Sequence, residues 1–185
     1  MRRSVEWVAT LAVAIATVLA VKAYVVNPYR VPSASMEPTL HCAKPGGGCE
    51  ARFDERILAN RLAYRRRDPK RGEIVVFRTP PETARRCGAG GTFVKRLIGL
   101  PGEVVSERGG IVYVNGKPLA EPYIPRGRRD TLTESWPRIP LRGYFMMGDN
   151  RMSSCDSRKW GTVPRENLIG PVMASYWPPS RIALR

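Results

Sequence analysis

Hydrophobic positions along the chain form one long block followed by many short ones. From Trp7 to Val26 the residues are nearly all apolar, broken by Lys22. As a helix rising about 1.5 Å per residue, that stretch covers the roughly 30 Å core of a bilayer. It predicts a single transmembrane helix, with Lys22 snorkelling to the interface and Tyr24 and Tyr29 at headgroup level. Beyond it the apolar runs are short and bounded by Gly and Pro, which is strand punctuation. Segments 57–62 and 73–78 read as strands separated by a basic, Pro69-containing turn over 65–71. Segment 92–99 alternates, so Phe93, Lys95 and Leu97 share one face while Val94, Arg96 and Ile98 share the other. Segments 104–106 and 111–114 read as a meander, with Asn115-Gly116 offering a type I′ turn into 117–119. Segment 121–142, rich in proline and arginine, has no clear period and reads as an excursion over the surface. Apolar 144–147 then delivers the polar segment 148–158.

These elements predict a mostly β protein: residues 1–28 as cytoplasmic N-terminus and anchor, residues 29–185 as one β domain with a hairpin extension at about 103–143. The 185 residues allow one domain with a proper core. Arg2 and Arg3 favour a cytoplasmic N-terminus and hence a domain outside the cell membrane. The competing reading is a signal peptide cleaved after Val21-Lys22-Ala23, although the apolar stretch outruns a usual h-region. Either way the remainder is exported. Lys and Arg number 31 against 16 Asp and Glu, a net +15; without residues 1–26 the balance is still 28 against 15. Charge of this size fits nucleic acid or an anionic lipid surface, and by itself does not choose. For the basic turn 65–71, a solvated corner competes with a contact to anionic headgroups.

Cys42 and Cys49 sit in a Gly/Pro-rich loop, and outside the membrane such a pair is a disulfide candidate. Four cysteines permit three complete pairings, and Cys87 and Cys155 either join each other or stay free. A zinc set from His41, Cys42, Cys49 and Cys87 lacks tight C-x-x-C spacing, so no metal is expected. Gly88-Ala89-Gly90-Gly91 lies in no phosphate-binding pattern and reads as a flexible linker.

The candidate chemistry centres on Ser35. The chain has one histidine, His41, and no Asp or Glu stands out as placed to orient it. The other base able to activate a serine is a neutral lysine in an apolar site. Lys95, with apolar neighbours in its strand, meets that description because desolvation lowers an amine's pKa; an arginine at the next position cannot lose its proton.

Four segments taken together resemble the bacterial type I signal peptidases, membrane-anchored Ser/Lys endopeptidases. They are 33–40 (SASMEPTL), 71–77 (RGEIVVF), 95–102 (KRLIGLPG) and 148–151 (GDNR) with Ser154, Asp156, Ser157 and Arg158. The resemblance implies a coiled β-barrel-like catalytic domain and cleavage of signal peptides from exported preproteins after Ala-x-Ala. It implies Ser35 as nucleophile and Lys95 as general base, with Ser154 hydrogen-bonded to the lysine amine. Ser33 and the Ser35 N–H form the oxyanion hole, Asp156 and Arg158 a structural ion pair, and Val31, Met36, Phe93 and Val94 the pockets for small side chains. It further implies no cofactor, preproteins and the lipid bilayer as partners rather than nucleic acid, a monomer, and residence in the plasma membrane. The cysteine loop at 41–50, Met152 and Ser153, and Cys155 depart from the family's commonest pattern. Two other classes compete: a self-cleaving Ser/Lys regulatory protein, which needs a DNA-binding domain where this chain has its apolar stretch, and an exported basic binding module without catalysis.

Overall fold

A computed structural model describes residues 6–8, 10–17 and 25–185. The later part of the predicted membrane-spanning stretch, 18–24, with Lys22, Tyr24 and the alternative cleavage point, lies outside the described residues. Residues 6–8 and 10–17 are helical, and among the described residues no helix is long and apolar enough to cross a membrane. The helix predicted through Val26 does not reach it, because strand β1 already runs from Val26–Arg30. Pro28 has no N–H to donate and pushes Asn27 toward extended backbone. Tyr29, expected at headgroup level, belongs to this strand.

Eleven further strands follow: β2 (Arg56–Asn60), β3 (Ile74–Arg78), β4 (Thr92–Gly99), β5 (Val105–Arg108), β6 (Ile111–Val114), β7 (Lys117–Pro118), β8 (Glu134–Ser135), β9 (Gly143–Met147), β10 (Val163–Pro164), β11 (Leu168–Trp177) and β12 (Ala183–Leu184). The main sheet has the order β1-β2-β11-β3-β4-β9-β10, with β12 also on β11; a smaller sheet has the order β7-β6-β5-β8. The fold is thus a mostly-β curled sheet. Strand β11 causes the curl: its first part pairs with β3 and its second part, from Val172, with β2, with register shifts in both pairings. Gly170 lies at the changeover, where a Cβ would overlap the carbonyl of Asn60. The edge strands β1 and β10 do not pair with each other.

Alternation along the strands divides the core. Ile74 and Val76 of β3 join Val31, Met36, Leu40 and Ile57, while Val75 and Phe77 join Leu97, Tyr144, Met146 and Trp160. Phe145 and Met147 of β9 face the third cluster, with Ile98, Val105, Trp136 and Ile139, which cements the small sheet to the large one. At the β6–β7 turn Asn115 and Gly116 both have positive φ, 49° and 78°, as a type I′ turn requires. Three short helices were not anticipated: one over Ser157–Trp160, α1 (Ala63–Arg66) and, the longest of them, α2 (Pro81–Cys87). Helix α2 starts with proline in its first turn and ends at Gly88 in the left-handed conformation (φ 67°), so the supposed linker begins as a helix cap.

The cysteines pair as Cys42–Cys49 and Cys87–Cys155, enclosing separations of 7 and 68 residues. Chain-entropy reasoning assigns about 2 kcal/mol to the short loop and about 4 kcal/mol to the long one. Replacing Cys87 and Cys155 by alanine is therefore expected to lower the unfolding free energy about twice as much as replacing Cys42 and Cys49. Denaturant titration of the two double variants checks the order.

Candidate active site

Ser35 sits in a single 3-10 turn, Ala34–Met36, entered from β1 through Val31 and Pro32. The turn is held from beneath by Asn150, whose N–H donates to Ser35 O and whose Nδ2 donates to Ala34 O, both at 3.1 Å. Lys95 lies in the middle of β4, opposite Val75 of β3. The two side chains meet: Lys95 Nζ and Ser35 Oγ are hydrogen-bonded at 2.5 Å, with the residues 3 % and 7 % exposed. Burial pulls the Lys95 pKa down to about 8, against the pull of the Asp156 and Asp149 carboxylates in the other direction. Ser33 Oγ lies 3.2 Å from Ser35 Oγ. A groove of about 330 Å³ opens over this pair, lined by Tyr29, Ile57, Val76, Phe93 and Val94 and rimmed by Ala89 and Gly90. A lysine amine biased toward neutrality and bonded to a serine hydroxyl in such a groove is equipped for base-assisted nucleophilic attack.

Arg96, next to Lys95, points to the opposite face as strand alternation requires. Its guanidinium grips Asp149 at 2.8 and 2.6 Å, and Thr39 Oγ1 donates to the same carboxylate at 2.5 Å. Asp149 thereby links β4 to the chain just beyond the Ser35 turn. Asp156 accepts from Gly148 N at 3.0 Å and from Arg158 Nε and Nη2 at 2.8 and 2.9 Å. Burial would push the Asp156 carboxyl up, but Arg158 and the Gly148 amide together hold it below the usual carboxylate range. Arg158 also reaches Asp130, and Arg151 is paired with Glu121. Between the two arginines lies Glu107, 3.8 and 3.7 Å away, whose buried carboxyl is pushed up to about 7 by desolvation.

Three expectations need correction. Ser154 is buried, but no hydrogen bond joins its hydroxyl to the lysine amine; the hydroxyl lies toward Asp156 and helps to lower that carboxyl's pKa. It packs instead over Gly148, in the space a Cβ would take. Val31 and Met36 are not among the residues that line the groove and pack in the core under the Ser35 turn, leaving Phe93 and Val94 of the expected four at its wall. His41 does have an acidic partner, Glu37, which is bonded to its Nδ1 and also accepts from Cys42 N and Glu50 N. An i−4 glutamate was visible in the chain. The zinc set considered above is dissolved by its cysteines, which are all in disulfides. Glu37, His41 and Glu50 place ligand-type atoms within 4.8 Å of one another, but Glu50 is paired with Arg128 and Glu37 is occupied in folding the loop. Asn150, Gly148, Glu107 and Glu121 escaped the sequence reading as structural actors. Polar density around 148–158 pointed to the first two, and nothing local pointed to the glutamates.

With this geometry in view, a family profile described as "Signal peptidase, peptidase S26" matches residues 4–177. A probable signal peptidase I-2 from Synechocystis sp. is 39 % identical over 176 residues, 95 % of this chain and 74 % of the relative. Signal peptidase I of Leptolyngbya laminosa is 34 % identical over 181 residues, 96 % of this chain and 81 % of the relative. A crystal structure of a signal peptidase I from Enterococcus faecalis aligns at a TM-score of 0.47 with 32 % identity, over 57 % of this chain and 97 % of that one. The chain belongs to the peptidase S26 family of signal peptidases. Its activity is that of a serine-type endopeptidase, signal peptidase I.

Proposed function

We propose that the chain cleaves signal peptides from exported preproteins with a Ser35/Lys95 dyad. One observation carries this: the Lys95 Nζ–Ser35 Oγ hydrogen bond in a buried site that biases the amine toward its neutral form. The neutral amine accepts the Ser35 proton as Oγ attacks the scissile carbonyl, and the ammonium then protonates the leaving amine. The same amine next takes a proton from the water that hydrolyses the acyl-enzyme. Charge on the tetrahedral oxygen is met by the Ser33 hydroxyl and the Ser35 N–H. Asp156 and Arg158 brace the 148–158 loop behind the dyad, and Ser154 fills its wall. The small groove, walled by Phe93 and Val94, favours small residues before the cut, as in Ala-x-Ala.

The anchored topology belongs to this proposal: the apolar stretch before β1 serves as cytoplasmic N-terminus and membrane span, and the chain from Val26 onward is a monomeric catalytic domain on the outer side. Strand β1 ends five residues before Ser35, so the tether is short and raises the effective concentration of membrane-held substrate at the site. The pH dependence tests the dyad. Below the Lys95 pKa the amine is protonated and idle, so kcat/KM is expected to rise about tenfold per pH unit up to about pH 8 and level off above. A plateau reached already near pH 6.5, the ordinary range of a histidine, would sink the lysine as base.

A further inference from the structure

The basic corner at 61–71 takes no part in the proposed chemistry, yet its position is well defined. Arg61 N–H donates to Val25 O at 2.9 Å, and Val26 pairs with Asn60. The corner therefore begins beside the point where the chain leaves its N-terminal apolar stretch. Helix α1 and the turn after it lie between two grooves of about 990 and 340 Å³. Lys and Arg number eleven in the two linings together, against two acids, Glu73 and Glu166, while Arg71, Arg96, Arg165 and Arg185 pair with Glu103, Asp149, Asp68 and Glu55 outside the linings. Both lining acids are already engaged, Glu73 with Arg67 at 2.6 Å and Glu166 with Arg142 at 3.9 Å. Arg65, Arg66, Lys70 and Arg78 are exposed and make no ion pair among the described residues. The larger groove also takes in Met173 and Leu184, which are 37 % and 87 % exposed.

Uncompensated cations beside exposed apolar side chains fit a molecule with a phosphate at one end and hydrocarbon below it. We infer that this corner docks on anionic phospholipid headgroups: Arg65, Arg66, Lys70 and Arg78 take the phosphates, and Met173 and Leu184 dip toward the acyl boundary. A lipid surface is favoured over nucleic acid by the apolar pair and by the adjoining apolar stretch. Docking there would set the Val26–Asn60 end of the sheet against the bilayer and fix the domain's tilt about its tether. The inference rests on the anchored topology proposed above. Each cation held at an anionic surface favours the docked state by roughly fivefold, and the effect is screened by salt.

The test reconstitutes the full chain in vesicles of phosphatidylcholine alone or with phosphatidylglycerol, and follows tryptic nicking within 65–71 by mass spectrometry. Nicking is expected to be about tenfold or more slower in the anionic vesicles, and high salt should abolish the difference. In an Arg66→Glu/Lys70→Glu variant, which keeps Arg65 and Arg67 for trypsin, the two vesicles should give equal nicking, while preprotein cleavage in neutral vesicles stays at the parental rate. Equal nicking of the parent in both vesicles overturns the inference. So does equal protection in neutral vesicles by inorganic phosphate, which would make this a free-phosphate site, or by a short oligonucleotide, which would make it a nucleic-acid face. Flotation with neutral vesicles reports on the anchor separately. A chain that floats only with anionic vesicles and is released by salt would refute the anchor while upholding the corner.

Discussion

Lys95→Met protein is expected to cleave a preprotein in detergent at least about a thousandfold more slowly than the parent, the scale of a lost general base. Ser35→Ala should fall to the same floor, and the double variant no lower, since two groups acting as one unit do not contribute additively. The loss would not reflect misfolding. Lys95 is buried with a lowered pKa, so the fold pays to keep its amine out of water. Methionine has a similar length and no such penalty, and the midpoint of thermal unfolding should stay level or rise. Arginine at 95 would not rescue cleavage, because it keeps its proton. Activity within tenfold of the parent in either single variant, at about pH 8, would remove the proposed mechanism.

The second large effect comes from a residue with no side chain. Gly148 follows β9 and is pressed between the carbonyl of Ser35 and the side chain of Ser154; an added Cβ would overlap both. Its N–H meanwhile is held by Asp156, so the backbone cannot swing aside without breaking that bond. Gly148→Ala must push the Ser35 turn or the 148–158 loop. Overpacking of this kind costs about 1–3 kcal/mol of stability, and an ångström of displacement at the reacting atoms costs about a hundredfold in rate. Steady-state kinetics should show the loss in kcat more than in KM, with a lower denaturant midpoint. A fully active Gly148→Ala enzyme would mean that loop and turn are not in contact as described.

The parts that were legible from the chain were those with short-range physical rules. Strand β4 appears at its predicted limits because alternation is a two-residue property, and alternation also put Lys95 and Arg96 on opposite faces. The Asn115-Gly116 turn was equally local. Residues whose role depends on partners far along the chain were not legible. Val31 and Met36 look like pocket residues beside Ser35, but which side of the turn faces solvent depends on β2, β3 and β11 arriving beneath it. The expected Ser154–Lys95 bond fails for the same reason: Ser154 is positioned by Gly148 and the Asp156–Arg158 pair. Glu107 and Glu121 gain their meaning from Arg151 and Arg158, at least thirty positions on. Helix α2 was hidden by its brevity, with proline at one end and glycine at the other.

The bond between Cys87 and Cys155 turns the intervening chain into a covalent ring, and Lys95, Gly148 and Ser154 are members of that ring while Ser35 is not. The two halves of the proposed dyad thus lie inside and outside the ring and meet through packing and hydrogen bonds, with no covalent cross-link between them. A backbone break at the exposed tip near Arg126 and Gly127 would open the ring without releasing a fragment. The pieces 1–126 and 127–185 would stay joined through that sulfur bridge, with both reacting side chains on the first of them, and the nicked enzyme would remain one molecule.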